Sequence, residues 1–99
     1  MLSGEKKRSL RAQAHHLKPI VLIGQHGLTD AVQLEIDRAL VDHELIKVRF
    51  RGAEREDRDA ALEQVCAALE CERVASIGAT AVLYRKRREG DTPKRFNPK

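Results

Sequence analysis

The sequence predicts a single α/β domain in which helices pack on a four-stranded mixed sheet. Three observations support this fold class. The 99 residues are enough for one domain. Apolar residues recur with a helical period in some segments and alternate in others. The predicted order is helix, strand, helix, strand, helix, strand, strand, which favours parallel pairing early and an antiparallel pair at the end. Residues 1–85 would form the domain and residues 86–99 a basic flexible tail.

The first two elements are a helix and a strand. Ser3 can cap a helix that runs to about His15. Pro19 then ends helical structure, because the residue before a proline is pushed out of the α region. Residues 20–23 (IVLI) form a continuous apolar run. Such a run is typical of a strand covered on both faces, in the interior of a parallel or mixed sheet.

The next helix and strand follow a turn. Thr29 or Asp30 can cap the helix, in which apolar residues recur at i, i+4, i+7 and i+8. After His43 the period changes to two, so residues 45–51 (LIKVRFR) form a strand with two different faces. The inner face would carry Ile46, Val48 and Phe50, and the outer face Lys47, Arg49 and Arg51.

The last three elements are a helix and a hairpin. The buried side of the third helix would be formed by Ala61, Leu62, Val65, Ala68 and Leu69. Residues 73–77 and 81–85 read as short strands, and the link between them is short enough for an antiparallel hairpin.

Charge is unevenly distributed along the chain. The formal net charge is +4, and residues 85–99 contain seven Lys/Arg against two Asp/Glu. The acids concentrate in residues 30–44 and 54–59. Such segregation fits a protein that turns a basic side toward a polyanion, but it equally fits an ordinary solvated surface. No apolar run approaches the ~20 residues of a membrane span, the N-terminus has no apolar signal segment, and two cysteines make no disulfide framework. We therefore expect a cytoplasmic protein without a membrane partner.

One four-residue motif carries specific chemistry. Gly24, Gln25, His26 and Gly27 form a GxxG pattern between a predicted strand and a predicted helix. Such a junction offers backbone N–H groups at the positive end of a helix dipole, and glycine lets a phosphate approach closely. In KH domains the same pattern clamps about four nucleotides of backbone. A lone GxxG is usually a plain turn, so its position and the basic strand nearby carry the argument.

Three segments together resemble a known family. Residues 14–24 (AHHLKPIVLIG), 27–29 (GLT) and 43–48 (HELIKV) look like the bacterial YhbY family, the stand-alone form of the CRM (chloroplast RNA splicing and ribosome maturation) domain. The resemblance runs from about Leu2 to Tyr84. It implies a fold similar to the C-terminal domain of translation initiation factor 3. It also implies binding to rRNA in precursors of the large ribosomal subunit (pre-50S particles).

The resemblance also implies which residues bind RNA. By position, the family's loop falls on Gly24–Gly27, and the basic residues lining the same face would be Lys18 and Lys47, with Arg11 nearby. Many family members have a lysine inside the loop, whereas this chain has Gln25 and His26. The attraction to phosphate would therefore come from neighbouring cations, including Arg49 and Arg51 of the predicted basic strand face.

Other functions are less well supported by the sequence. The four histidines lack the spacing of metal ligands, Cys66 lies on the apolar side of its helix, and no nucleophile with a base or phosphate-binding Walker loop is present. We expect no enzyme activity, no cofactor, no small-molecule substrate and a monomer. Two alternatives stay open: an adaptor that docks on ribosomal precursors through the acidic helices, and, more weakly, a Mg²⁺-dependent nuclease using the acids of residues 54–59.

Overall fold

The computed structural model of the protein describes residues 2–91, so residues 92–99 of the predicted tail lie outside the described residues. Helices and strands follow one another in the predicted order. They are α1 (Gly4–Ala14), β1 (Val21–Ile23), α2 (Asp30–His43), β2 (Leu45–Phe50), α3 (Arg55–Leu69), β3 (Glu72–Ile77) and β4 (Thr80–Tyr84). The predicted fold class and order of elements are confirmed.

Side-chain caps set the starts of the first two helices. The Ser3 hydroxyl accepts a hydrogen bond from the Lys6 N–H at 3.1 Å, as the sequence predicted. The Thr29 hydroxyl accepts one from the Val32 N–H at 3.1 Å, so Thr29 is the cap and Asp30 the first helical residue. Each cap satisfies a backbone donor that has no partner inside its helix.

The sheet is mixed, with strand order β1-β2-β4-β3. β1 pairs in parallel with β2, and the other two pairs are antiparallel, including the predicted β3–β4 hairpin. The prediction that residues 20–23 are covered on both faces is wrong. Val21 and Ile23 are buried, but Ile20 is 47% and Leu22 46% exposed. The run lies in an edge strand, and α1 packs mainly against β2 and β3.

Two apolar cores lie on opposite faces of the sheet. The larger is between the sheet and helices α2 and α3, and the smaller lies under α1, around Leu10 and Ala14. The predicted inner face of β2 is confirmed, with Ile46, Val48 and Phe50 all buried in the larger core. Ala68, which we expected to be buried, is exposed, because at 100° per residue it lies about 120° around α3 from the buried Leu62.

A buried arginine ties three elements together. Arg85, directly after β4, is 5% exposed and forms an ion pair with the Asp37 carboxylate of α2 at 2.7 Å. The same guanidinium donates to the carbonyl of Leu69 at the end of α3, at 3.0 Å. A buried guanidinium is tolerated only when it is paired and hydrogen-bonded in this way.

The chain beyond Arg85 continues along the end of α2. The Arg87 side chain donates to the carbonyls of Val41 and Asp42, each at 2.9 Å, and its backbone N–H donates to the Glu44 carboxylate at 2.6 Å. A cation at a helix C-terminus is favourable because the last carbonyls carry partial negative charge. Arg85, which the sequence placed at the end of the last strand, and Arg87, which it placed in the basic tail, thus both have structural partners.

The end of α3 brings the two cysteines together. Glu70 has a left-handed backbone, with φ of 55°, and the Cys71 N–H donates to the Cys66 carbonyl at 3.1 Å. This is the bond of a Schellman motif, whose two ends typically place their side chains in contact. A hydrogen bond from the Cys71 thiol lowers the pKa of Cys66. The same hydrogen bond, together with burial, raises the pKa of Cys71.

Replacing Arg85 should destabilise the fold. We expect Arg85→Ala to lower the free energy of unfolding by about 2–3 kcal/mol, because it removes three charge-assisted hydrogen bonds while Asp37 keeps partial access to water. Urea unfolding followed by circular dichroism measures this. Arg88→Ala is the matched control, because Arg88 is half exposed and its ion pair with Glu70 is long, at 3.6 Å. This substitution should lower the free energy of unfolding by less than about 0.5 kcal/mol. Equal losses for both variants would contradict the structural role of Arg85.

The two cysteines should differ in reactivity. Iodoacetamide should alkylate Cys66 first, because Cys71 is buried and its pKa is raised. A lowered pKa means that Cys66 is a thiolate at lower pH, so its alkylation rate should rise with a midpoint below that of an ordinary cysteine. Peptide mass spectrometry as a function of pH measures both. In Cys71→Ala, which removes the donor, the midpoint should move upward; an unchanged midpoint would contradict the assigned cause.

Candidate nucleic-acid interface

The loop between β1 and α2 is a closed four-residue turn. The Gly27 N–H donates to the Gly24 carbonyl at 3.0 Å, and the Gly27 carbonyl accepts from the Thr29 N–H at 3.0 Å. Leu28 packs against the larger core and so anchors the loop. Gln25 and His26 are exposed at the tip, and within residues 2–91 their backbone N–H groups have no acceptor. These two donors can therefore bind an external acceptor such as a phosphate oxygen.

The two glycines have different roles. Gly27 has φ of 69°, a left-handed backbone that strains any residue with a Cβ. Gly24 is outside that region, and a Cβ built on it would meet no atom within 4 Å. The backbone conformation therefore favours glycine at position 27, but not at position 24. Glycine at position 24 leaves open space directly beside the free donors of the turn.

A second loop, residues 51–54 between β2 and α3, lies beside the first. Because β1 and β2 are parallel, their carboxyl ends meet at the same edge of the sheet, where ligands commonly bind in α/β folds. The Arg51 N–H donates to the Ile23 carbonyl at 2.9 Å, and a Cβ on Gly52 would lie 3.8 Å from Cγ of Gln25. The two loops line a cavity of about 390 Å³. Asp57, from the first turn of α3, contributes the carboxylate in this lining.

Basic side chains extend from these loops along the face of the sheet opposite α2 and α3. Lys47 and Arg49 occupy the outer face of β2, as the sequence predicted, and Arg49 is directly opposite Leu22 in the parallel register. Lys18 lines a surface cavity of about 410 Å³ together with Leu22 and Arg49. The cations and the apolar residues of β1 therefore share one surface.

The structure brings most of the predicted binding residues together. The loop Gly24–Gly27, Arg51, Arg49, Lys47 and Lys18 follow the β1–β2 half of the sheet from its carboxyl edge toward α1. Arg11 is apart from this row. It is exposed on α1, about 160° around the helix from Gln13, the residue of α1 that faces the row.

Several residues on this surface were not identified from the sequence. Ile20 and Leu22 are exposed between the cations, and His16 and His43 line the cleft between the end of α1 and the start of β2. The apolar run of residues 20–23 carried a signal for the first two, since alternate residues of an edge strand point away from the core. The histidines carried none, because only the fold brings residues 16 and 43 together.

Two other kinds of site were sought in the described part of the chain. Residues 2–91 contain no group of three or more His, Cys, Asp or Glu side chains that could hold a metal ion. None of the helices that the structure describes combines the length and apolar character needed to cross a membrane.

Comparison with known proteins assigns the family. The CRS1 / YhbY (CRM) domain model matches residues 2–85. The chain belongs to the CRS1 / YhbY (CRM) domain family. This confirms the resemblance found in the sequence, and the matched range ends where β4 and the buried Arg85 complete the fold.

Relatives in other organisms support the family assignment. The Pseudomonas aeruginosa protein named "Probable RNA-binding protein PA4753" is 47% identical over 85 residues, covering 86% of this chain and 82% of its own. A Haemophilus influenzae protein named "RNA-binding protein" is 42% identical and covers 89% of each chain. The solution structure of SAV1595 from Staphylococcus aureus has a TM-score of 0.79 at 37% identity, covering 91% of this chain and 94% of that one. The fold of this chain is therefore also that of a solved relative.

The two loop glycines should respond differently to substitution. Gly27→Ala should lower the free energy of unfolding by about 1–2 kcal/mol, because alanine is strained at a left-handed backbone position. Gly24→Ala should leave stability within about 0.5 kcal/mol, since the added methyl group meets no atom. Thermal and urea unfolding of both variants measures this. Equal destabilisation by the two substitutions would contradict the turn geometry described above.

Proposed function

We propose that this protein binds rRNA through the Gly24–Gly27 loop and the adjoining basic row, and that it acts as an assembly factor on precursors of the large ribosomal subunit. The observation that carries the proposal is the position of the loop. Its two free backbone donors lie at the same sheet edge as Arg51, at the end of a row containing Lys18, Lys47 and Arg49. Family membership and the names of the relatives support RNA as the ligand.

The chemistry of the surface suits an RNA backbone. The free N–H groups at the loop tip can donate to phosphate oxygens, and Gly24 leaves room for a close approach. Gln25 and His26 supply no permanent charge. The long-range attraction therefore comes from Lys47 and Arg49 of β2 and from Lys18, which precedes β1. Binding of this kind depends on backbone position more than on base identity.

The adaptor alternative has less support. The acidic helices would have to present their carboxylates to a partner. Several of these acids already form intramolecular ion pairs, among them Asp37 with Arg85, Asp59 with Arg73 and Glu70 with Arg88. We therefore favour the RNA-binding role. The proposal describes a cytoplasmic monomer without a catalytic function or cofactor, and its choice of ribosomal precursors rests on the resemblance to YhbY proteins.

Charge reversal on β2 should weaken RNA binding. We expect Lys47→Glu to reduce affinity about tenfold at moderate salt and to reduce the slope of log affinity against log salt by about 1, because a phosphate contact is lost. Gly24→Ala should also weaken binding, while leaving the fold intact. Fluorescence anisotropy with fragments of the large-subunit rRNA, repeated at several salt concentrations, measures both.

A matched control separates this site from general charge. Arg38→Glu makes the same kind of charge change on α2, which covers the opposite face of the sheet. It should alter affinity less than about threefold, because it changes only the long-range attraction between protein and RNA, which salt screens. If Lys47→Glu and Gly24→Ala both bound RNA like the wild type, the loop model would be wrong. Equal losses of affinity for Lys47→Glu and Arg38→Glu would show that binding depends on net charge and not on this surface.

A further inference from the structure

The open face of the sheet contains a row of connected cavities. The cavity under the GxxG loop shares Arg51 and Gly52 with a neighbouring cavity of about 400 Å³. That cavity shares Leu22 and Arg49 with the next one along β1. The third leads into the cleft between α1 and the sheet. Together these concavities form one track along the β1–β2 pair, which we call the strand track.

Outside the loop cavity, the charge along the strand track has one sign. Beyond the loop cavity, which includes Asp57, the described residues lining the track include Lys18, Lys47, Arg49 and Arg51 and no carboxylate. Between these cations, nearly half of the Ile20 and Leu22 side chains is exposed. An apolar floor bordered by cations is complementary to a polyanion that also carries flat apolar groups. A single-stranded nucleic acid is such a ligand.

The cleft at the far end of the track differs from the rest. It has a volume of about 400 Å³ and apolar walls formed by Leu17, Ile20 and Leu45. The imidazoles of His16 and His43 and the amide of Gln13 lie at its lining, with Lys18 and Lys47 also there. Proteins bind splayed-out bases between apolar or aromatic groups, with polar groups reading the base edge. The cleft has these parts, and its two lysines can pair with the attached phosphates.

We propose that the strand track holds a single-stranded segment of the bound RNA, with one unstacked nucleobase inserted in the cleft formed by His16, Leu17, Ile20 and His43. This rests on the proposed RNA-binding function and adds a base-binding site to it. From Lys18 to Gly24 an extended chain covers about 20 Å, so the cleft and the loop contact different nucleotides of the same strand. A duplex would bind less well, because its paired bases cannot enter the cleft.

The experiment is an abasic scan. A fluorescein-labelled single-stranded oligoribonucleotide about ten nucleotides long, more than twice the ~4 nucleotides clamped by a KH loop, is bound to the whole 99-residue chain and followed by anisotropy. Each position in turn is replaced by an abasic nucleotide, which removes the base and keeps the phosphate. We expect one position, or two adjacent ones, to lose about fivefold or more in affinity, the size of one base contact. The same oligonucleotide annealed to its complement should bind more weakly than the single strand.

Variants assign that loss to the cleft. Ile20→Ala and His16→Ala, both at exposed side chains, should each reduce affinity for the intact strand about threefold to tenfold. Neither should weaken binding of the strand that carries the abasic nucleotide at its sensitive position. Leu34→Ala is the control, because Leu34 is an exposed apolar residue of α2, away from the track. It should have no effect on either strand.

The outcomes distinguish the two proposals. If the abasic scan is flat, or if Ile20→Ala and His16→Ala weaken intact and abasic strands equally, the base-binding cleft is wrong. In that case Lys47→Glu and Gly24→Ala would still weaken binding if the proposed function holds. If the wild type binds neither single-stranded nor duplex RNA, the proposed function fails, and the inference fails with it.

Discussion

The parallel pairing of β1 with β2 is the constraint on which the rest of the structure depends. It is held by the register Val21↔Val48, Leu22↔Arg49 and Ile23↔Phe50, with backbone bonds at both ends from Ile20 N–H to the Lys47 carbonyl and from Arg51 N–H to the Ile23 carbonyl. Because side chains alternate along a strand, this register buries one set of residues under α2 and α3 and places the other set on the open face. A shift by one residue would bury Arg49 and expose Phe50. Parallel pairing also brings the GxxG loop and Arg51 to the same edge of the sheet, so one interaction determines both the core and the candidate site.

Charge segregation follows from the same arrangement. The acids concentrate on α2 and α3, where some are paired with arginines from elsewhere in the chain, such as Arg73 and Arg85. Among residues 2–91, the cavities that Lys18, Lys47 and Arg49 line on the open face include no carboxylate, and the first one along the row is Asp57 in the loop cavity. Separating the acids of α2 and α3 from the cations of the open face in this way can orient an approaching polyanion.

The sequence predicted the class, the order of elements and the inner face of β2, because these depend on local periodicity and capping, as at Ser3 and Thr29. It did not predict which side of the sheet α1 occupies or how far α1 extends along it. The strand at residues 20–23 was therefore taken as fully buried, whereas Leu22 faces the solvent. Arg85 shows the same limit for a charged residue that the structure buries. Its burial depends on Asp37 and Leu69, distant in sequence, so the sequence showed Arg85 only as the last residue of a strand and the first cation of a basic segment. The GxxG spacing identified the two loop glycines in the sequence, but only the backbone geometry of the structure distinguished their roles.

The central claim is that RNA lies on the β1–β2 half of the open sheet face and on the GxxG loop. Backbone-amide NMR of the isotope-labelled protein, titrated with a single-stranded RNA, tests this most directly, since it reports on the whole surface without substitutions. We expect the largest chemical-shift changes in residues 16–27 and 47–52, and little change in α2 and α3 beyond their first turns. Shift changes concentrated on the exposed faces of α2 and α3, with the loop amides of Gln25 and His26 unaffected, would contradict it.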